Sequence, residues 1–296
     1  MSEPDSHAKS FTGLDAVAFR ERGYNVVRQL FDDEEVLHLR RIAQETVAQA
    51  EGEGRAISIA GIEGAFRGGP GGGDLLSMPS MRHVLLDPRL LTVVRELLGG
   101  QPVYFGDSSL RVGKNGARGW HRDSVNRRRW LGGADWQDPY PLLRCGLYLQ
   151  DQARHSGGLA LRPRSNRLGL VRPTLPRLVD ASAGDLVVWS LRTVHSGEVV
   201  RLRWLPGLPL HPRLQTWLPQ SMRASEEAER IVLFMTFACA GPQLDYYIDY
   251  LKRRDYMQTA WASSHFGPDA LEEAESAGLH VILPVPTYGV PAPAAA

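Results

Sequence analysis

The sequence predicts a mainly β core with flanking helices, and three observations carry that reading. From residue 101 onward the chain breaks into short β-like runs at 102–112, 119–124, 142–150, 158–162, 185–191, 194–203 and 230–238, parted by Gly, Pro, Asn and Asp. The first hundred residues carry mostly helical periodicity instead. Helical patterns return at 243–262 and 268–277. Several short strands separated by turn signals read as a sandwich or barrel. The 296 residues read as one domain with an ample core.

The elements follow in order. Residues 1–12 read as a disordered tail and 13–100 as mostly helical support. A short helix is expected over Asp15–Arg20 and a strand over Tyr24–Phe31. Asp32 or Asp33 can cap the next helix, which places apolar Val36, Leu39, Ile42 and Val47 on one side. The run GAFRGGPGGGD at 64–74 is too rich in glycine for regular structure, and it lacks the Gly-Lys-Ser/Thr ending of a phosphate-cradling loop. Pro88 opens a helix through Leu98 that Gly99-Gly100 closes. The core is expected over 101–240. Proline-rich 204–229, with Trp204 and Trp217, reads as an insertion between two strands and as the best lid candidate. A C-terminal extension over 241–296 holds the later helices, a strand candidate at 279–283 and an Ala/Pro tail from Pro291.

Composition narrows the function classes. The formal net charge is +1, so whole-molecule attraction to nucleic acid or to an anionic membrane is not expected. Cys145 and Cys239 both sit in apolar runs, which offers neither a disulfide framework nor a cysteine zinc site. The N-terminus lacks the basic and apolar regions of a signal peptide, and no apolar run reaches spanning length, so a cytoplasmic protein is expected. Of 34 basic residues only Lys9, Lys114 and Lys252 are lysine, a bias that fits a GC-rich bacterial genome such as an actinomycete's.

The chemistry is concentrated in Trp120-His121-Arg122-Asp123 and His195. In an extended run, His121 and Asp123 would leave the same face. A third ligand brought in by the fold would complete a two-histidine, one-carboxylate facial triad, the donor set of non-haem Fe(II) with open positions for substrate and O₂. His155 and His211 read as structural or substrate-facing, and Asp107 and Asp185 as turn residues. Arg127-Arg128-Arg129 reads as a solvated loop, with an electrostatic hook for a phosphate or carboxylate on the substrate as the alternative. Trp130, Trp136, Trp204 and Trp217 could wall a site or fill a core.

The order of motifs extends the reading. The entry segment Arg20-Glu-Arg-Gly-Tyr-Asn-Val-Val-Arg28 and Leu86-Asp-Pro-Arg-Leu-Leu91 precede the His-x-Asp. Tyr148-Leu-Gln-Asp151, Gly157-Gly-Leu-Ala-Leu-Arg-Pro-Arg-Ser-Asn-Arg167, Gly184-Asp-Leu-Val-Val-Trp-Ser190 and His195-Ser-Gly197 follow it, and Arg230 leads an apolar strand to Phe237. From Phe19 to Phe237 this resembles the phytanoyl-CoA dioxygenase family of Fe(II)/2-oxoglutarate oxygenases. The resemblance implies a double-stranded β-helix, a cupin-like jelly roll. It implies Fe(II) on His121, Asp123 and His195, with 2-oxoglutarate as cosubstrate. Arg230 would hold the distal carboxylate, for which a planar guanidinium fork is suited. Arg111 would face the cosubstrate, and Ser196 and Thr193 are the candidates for a hydroxyl near it.

The chain departs from the family pattern in two places. Arg230 follows His195 by 35 residues because the insertion intervenes, and Arg201 and Arg203 are nearer rivals. The family's Pro-Gly-Ser-His-Arg stands here as Pro163-Arg-Ser-Asn-Arg167. Related halogenases lack the carboxylate that Asp123 supplies, so oxygenation is favoured over halogenation. The expected partners are O₂ and a small molecule, with Arg127, Trp204 and Trp217 as candidate substrate contacts. The expected chemistry is hydroxylation or oxidative cyclisation in bacterial natural-product biosynthesis, such as that of a sugar-containing antibiotic. A peptide hydroxylase, or a jelly-roll protein holding metal without redox chemistry, are the alternatives.

Overall fold

Three of the helix starts are capped by aspartate side chains, and at Asp32 this is the cap the sequence offers. Asp15 accepts the Ala18 N–H at 2.8 Å and opens α1 (Ala16–Arg22), which Gly23 closes in the left-handed region. Asp32 accepts the Glu35 N–H at 2.9 Å while Glu35 accepts the Asp32 N–H at 2.8 Å, a reciprocal box that starts α2 (Asp33–Gly52). Asp87 accepts the Arg89 N–H ahead of α4 (Pro88–Leu98), and Gly99 ends it with a φ of 70°. Between them α3 covers Pro79–Leu85. Val36, Leu39 and Val47 are buried, and Ile42 packs on them half-buried.

The computed structural model describes residues 11–52, 74–113, 119–126, 133–153, 155–168, 174–215, 217–225, 229–262 and 264–283. The glycine-rich run, the chain ends and Arg127–Trp130 lie outside them, apart from Phe11, Thr12 and the buried Asp74. The strands are β1 (Tyr24–Val27), β2 (Val103–Tyr104), β3 (Ser108–Val112), β4 (Leu142–Tyr148) and β5 (Gly158–Leu161). Then come β6 (Arg177–Leu178), β7 (Leu186–Ser190), β8 (His195–Val199), β9 (Ile231–Ala238) and β10 (His280–Val281). The larger sheet runs β1-β7-β4-β9-β2-β10, with β3 also paired to β9. The smaller sheet is β6-β5-β8. This is a double-stranded β-helix with helices outside it.

Alternation along the strands divides the core in two. Tyr148, Val187, Trp189 and Val232 of the larger sheet pack with Leu159 and Leu161 of the smaller one, inside the roll. Cys145, Leu147, Leu186, Val188, Leu233 and Met235 point the other way and pack under the helices, including those that follow the short α5 (Pro212–Gln215): α6 (Pro242–Leu251), α7 (Asp255–Ala262) and α8 (Pro268–Ser276). Both faces of the larger sheet are therefore buried, which is why its strands read as nearly continuous apolar runs. Both cysteines are free. No helix among the described residues is long and apolar enough to cross a membrane.

Three segments differ from expectation. The strand expected to Phe31 stops at Val27, where Arg28 and Gln29 bond instead to Asp185; what remains of it pairs with β7 from Tyr24↔Trp189 to Val27↔Leu186. The run 102–112 breaks into two strands at Gly106, whose φ is 74°. The run 119–124 forms no strand, only an isolated bridge at His121.

Gly184 shows how tightly β1 is tied to β7. Its φ is 83°, and a Cβ there would overlap the Phe31 carbonyl oxygen. Phe31 N–H in turn donates to the Gly184 carbonyl at 3.2 Å. Gly184→Ala is expected to cost about 1–3 kcal/mol through strain and displaced backbone. A lowered urea midpoint with an unchanged slope would show it.

Candidate metal centre

Backbone tethers, not a strand, bring the three candidate ligands together. His121 and His195 exchange both backbone hydrogen bonds, at 3.0 and 2.9 Å, on the edge of β8. Two residues on, the N–H groups of Asp123 and Ser124 both donate to the Leu191 carbonyl, at 3.1 and 3.0 Å. The turn carrying His-x-Asp is thus hooked twice onto the chain that leads from β7 into β8. Arg122, between the ligands, points the opposite way and is buried. It donates to the carbonyls of Arg192 at 2.7 Å, Ser165 at 3.0 Å and Leu168 at 2.7 Å.

The donor atoms face one another. His121 Nε2 lies 3.8 Å from Asp123 Oδ1, and His195 Nε2 lies 3.6 Å from Asp123 Oδ2. All three donors fall within 4.8 Å of one another. Each imidazole turns its Nδ1 to a backbone carbonyl, His121 to Gly119 at 2.8 Å and His195 to Thr193 at 3.1 Å. Those bonds place the Nδ1 proton outward and leave both Nε2 lone pairs toward Asp123, as a metal requires. The donor set and its arrangement fit Fe(II), so these residues form the candidate iron site.

The electrostatics favour a charged Asp123 carboxylate and hold the His195 imidazole toward its neutral form. Burial alone would raise the Asp123 carboxyl. Arg144, His195 and His121 outweigh it and hold the group well below the usual carboxylate range. Burial pushes the His195 imidazole down to about 4, with Asp123 acting against that shift. Arg144 is the residue that sequence reasoning passed over. From the middle of β4 its guanidinium reaches Asp123 Oδ2 at 3.2 Å, Asp107 Oδ2 at 2.7 Å and Thr236 Oγ1 at 2.9 Å. Tyr247 donates to the same Asp107 oxygen at 3.3 Å. Asp107, expected to serve a turn, instead anchors the arginine that holds the candidate ligand. An arginine amid the apolar pattern of β4 was the signal available.

A cavity of about 60 Å³ opens on the triad. Arg111, Arg144, Tyr148, Trp189, Glu198 and Arg230 line it together with the three ligands. Arg230 is buried, its Nε donates to the Gly157 carbonyl at 2.9 Å, and its Nη1 has no hydrogen-bond partner among the described residues. Arg111 stands over the Phe234 ring at 5.2 Å, on the same wall.

Other expected site residues fall elsewhere. Thr193 gives its hydroxyl to the Gly23 carbonyl at 2.6 Å, so it fastens the α1–β1 junction. Ser196 is buried but does not line the cavity, because alternation along β8 turns it away from His195. Arg201 is spent on the carbonyls of Pro206 and Val179 and on Asp180. Arg203 is exposed, outside the cavity wall. Trp204 and Trp217 are 68% and 84% exposed, and no described residue of 204–229 lines the cavity, which leaves the lid and substrate-contact expectations without support. Arg127 lies outside the described residues.

The family model of the phytanoyl-CoA dioxygenases (PhyH) matches residues 19–201, more than half the chain. The chain belongs to this family. The protein is therefore a non-haem Fe(II)/2-oxoglutarate-dependent oxygenase of the PhyH type. No curated protein matches it in sequence. Its fold is similar to that of AviO1 from Streptomyces viridochromogenes, with a TM-score of 0.53 and 20% identity over 77% of this chain and 98% of that one. It is similar also to the epimerase SnoN from nogalamycin biosynthesis, at 0.51 and 18% over 76% and 81%. EctD from S. alaskensis, solved with 2-oxoglutarate and 5-hydroxyectoine, gives 0.53 and 19% over 80% and 79%. The PhyH match ends before Arg230, so that residue is placed by geometry.

Arg144→Met is expected to keep the fold and to weaken metal binding about 10–100-fold, the usual effect of losing a group that orients a ligand. Competition with a coloured chelator measures it. The His195 shift sets a pH window for the metal-free protein. An unfolded histidine protonates near about 6.5, while the buried one resists down to about 4. The unfolded chain therefore binds the extra proton first, and stability is lost as pH falls through that interval. His195→Gln should flatten the fall in denaturant midpoint between those two pH values. Equal slopes in both proteins would refute the assignment.

Proposed function

We propose that this oxygenase binds Fe(II) through His121, Asp123 and His195, anchors 2-oxoglutarate on Arg230, and oxidises a small molecule of bacterial natural-product metabolism by hydroxylation or oxidative cyclisation. One observation carries the cosubstrate assignment. Arg230 presents a buried guanidinium nitrogen without a hydrogen-bond partner on the cavity that the triad shares. A buried cation with unused donor capacity is costly unless an anion completes it, and a carboxylate is the natural complement. Arg111 on the same wall adds positive charge for the dianionic keto acid.

When bound, Fe(II) and 2-oxoglutarate supply the oxidising equivalents, with CO₂ and succinate released. This chain's residues do the rest. Asp123, held charged by Arg144, and two imidazoles oriented by backbone carbonyls present three donors on one side. A metal held by this donor set would keep open positions for keto acid and O₂. Asp123 would supply the carboxylate that related halogenases lack, which supports oxygenation. Trp189, Tyr148 and Phe234 add aromatic surface between the charged groups of the wall. The natural-product setting is supported by the similarity to SnoN and to a Streptomyces protein, and by the arginine-rich, lysine-poor composition.

Anaerobic Fe(II) with 2-oxoglutarate should give a weak visible charge-transfer band, and aerobic turnover should release one succinate per substrate oxidised. His121→Ala should abolish turnover. Arg230→Ala should weaken cosubstrate binding about 10–100-fold, the loss of a charge-assisted contact. A silent Arg230→Ala alongside an impaired Arg201→Ala or Arg203→Ala would overturn the anchor. Oxidation of a peptide and of no candidate small molecule would overturn the substrate class.

A further inference from the structure

The cavity wall holds one charged residue that neither the triad nor the anchor explains. Register between β5 and β8 slips at Glu198: Gly158 pairs with Val199 while Leu159 pairs with Gly197, leaving Glu198 as the extra residue. Its φ is 57°, a conformation that L side chains rarely adopt. Strict alternation would send Glu198 to the side of Ser196, away from His195. The bulge turns it back onto the cavity wall, as bulges beside active sites do. There it is buried, with Oε1 3.6 Å from Arg230 Nη1. That distance pairs the charges without forming a hydrogen bond.

We infer that Glu198 is a resident counter-carboxylate, which neutralises Arg230 in the cosubstrate-free protein and is exchanged for the distal carboxylate of 2-oxoglutarate on binding. The inference rests on the assignment of Arg230 as anchor. A buried guanidinium without a partner would be costly, and a bulged glutamate supplies one. The 3.6 Å separation leaves Nη1 with a donor to offer, so the incoming carboxylate can make the better bond. The site is thereby kept charge-balanced while empty, at the expense of cosubstrate affinity.

The test uses the full chain with Fe(II) under anaerobic conditions and isothermal calorimetry with 2-oxoglutarate. Glu198→Gln keeps the shape and removes the competing charge. Its dissociation constant for 2-oxoglutarate is expected to fall on the order of tenfold. Affinity for 2-oxobutyrate, which has the keto acid but no distal carboxylate, should not change. Thermal denaturation should show a larger stabilisation by 2-oxoglutarate in the variant than in the wild type. Glu198→Gly, which also suits the left-handed backbone, should tighten binding likewise and serves if the glutamine variant does not fold. Weaker binding in these variants would mean that Glu198 merely holds Arg230 in position. Unchanged binding, or an equal gain for 2-oxobutyrate, would equally overturn the exchange. Failure of the wild type itself to bind 2-oxoglutarate would instead overturn the function proposed above.

Discussion

The reciprocal backbone pair between His121 and His195 is the constraint on which the centre depends. It joins two segments separated by more than seventy residues and sets the two imidazoles 4.3 Å apart, centroid to centroid. The segment bearing His121 has no strand neighbours of its own, so without that bridge nothing in the sheets would fix it. The Leu191 carbonyl supplies the second point of attachment, taking the N–H groups of Asp123 and Ser124. Two tethers on a short turn remove its rotational freedom about either one. The metal donors are then presented by backbone already committed to the roll, and little ordering remains for the ion to impose.

From that constraint the charge arrangement follows. Drawing Asp123 into a buried wall raises the cost of its charge, and Arg144 offsets it from β4. Arg144 is itself buried and needs compensation, which Asp107 and Thr236 provide, with Tyr247 closing the chain from α6. A ligand inside the roll is thus coupled to a helix outside it by one line of hydrogen bonds. Mixed-sign networks of this kind tolerate burial because each member is bonded on more than one side.

What was legible in the sequence followed from local chemistry. The cap at Asp32, the helix opened by Pro88 and closed by Gly99, and the apolar strands from Leu142 onward each depend on near neighbours, and each was found where expected. The triad was legible because its ordered surroundings resemble one family. The errors share a different cause. Ser196 stands beside His195 in the chain, yet neighbours on a strand face opposite ways, and Thr193, ahead of the strand, turns its hydroxyl to the Gly23 carbonyl. Glu198 was overlooked for the converse reason, since alternation predicts that it points outward and only the bulge reverses it. Arg144 was hidden because its partners, Asp107 and Asp123, come from other parts of the chain. Contacts of that kind leave no spacing for a single sequence to display.

The long interval between His195 and Arg230 is explained by how the insertion closes. Leu202 bridges Arg223, Arg203 N–H donates to the Met222 carbonyl at 2.9 Å, and Ala224 N–H donates to Arg201 at 2.8 Å. The excursion therefore leaves and re-enters at one place, and its length costs little, because closure entropy grows only logarithmically with the residues inside. Arg201 is the post on which that closure hangs, and it does not line the cavity that the triad shares. Past the closure, β9 runs between β3 and β4 in unbroken register, from Ile231↔Val112 to Ala238↔Leu142. Arg230, immediately before it, is delivered to the cavity wall by strand pairing, whatever the size of the loop. Distance along the chain is a poor guide to which arginine reaches the cavity, since Arg201 and Arg203 do not line it and Arg230, at the start of a strand central to the larger sheet, does.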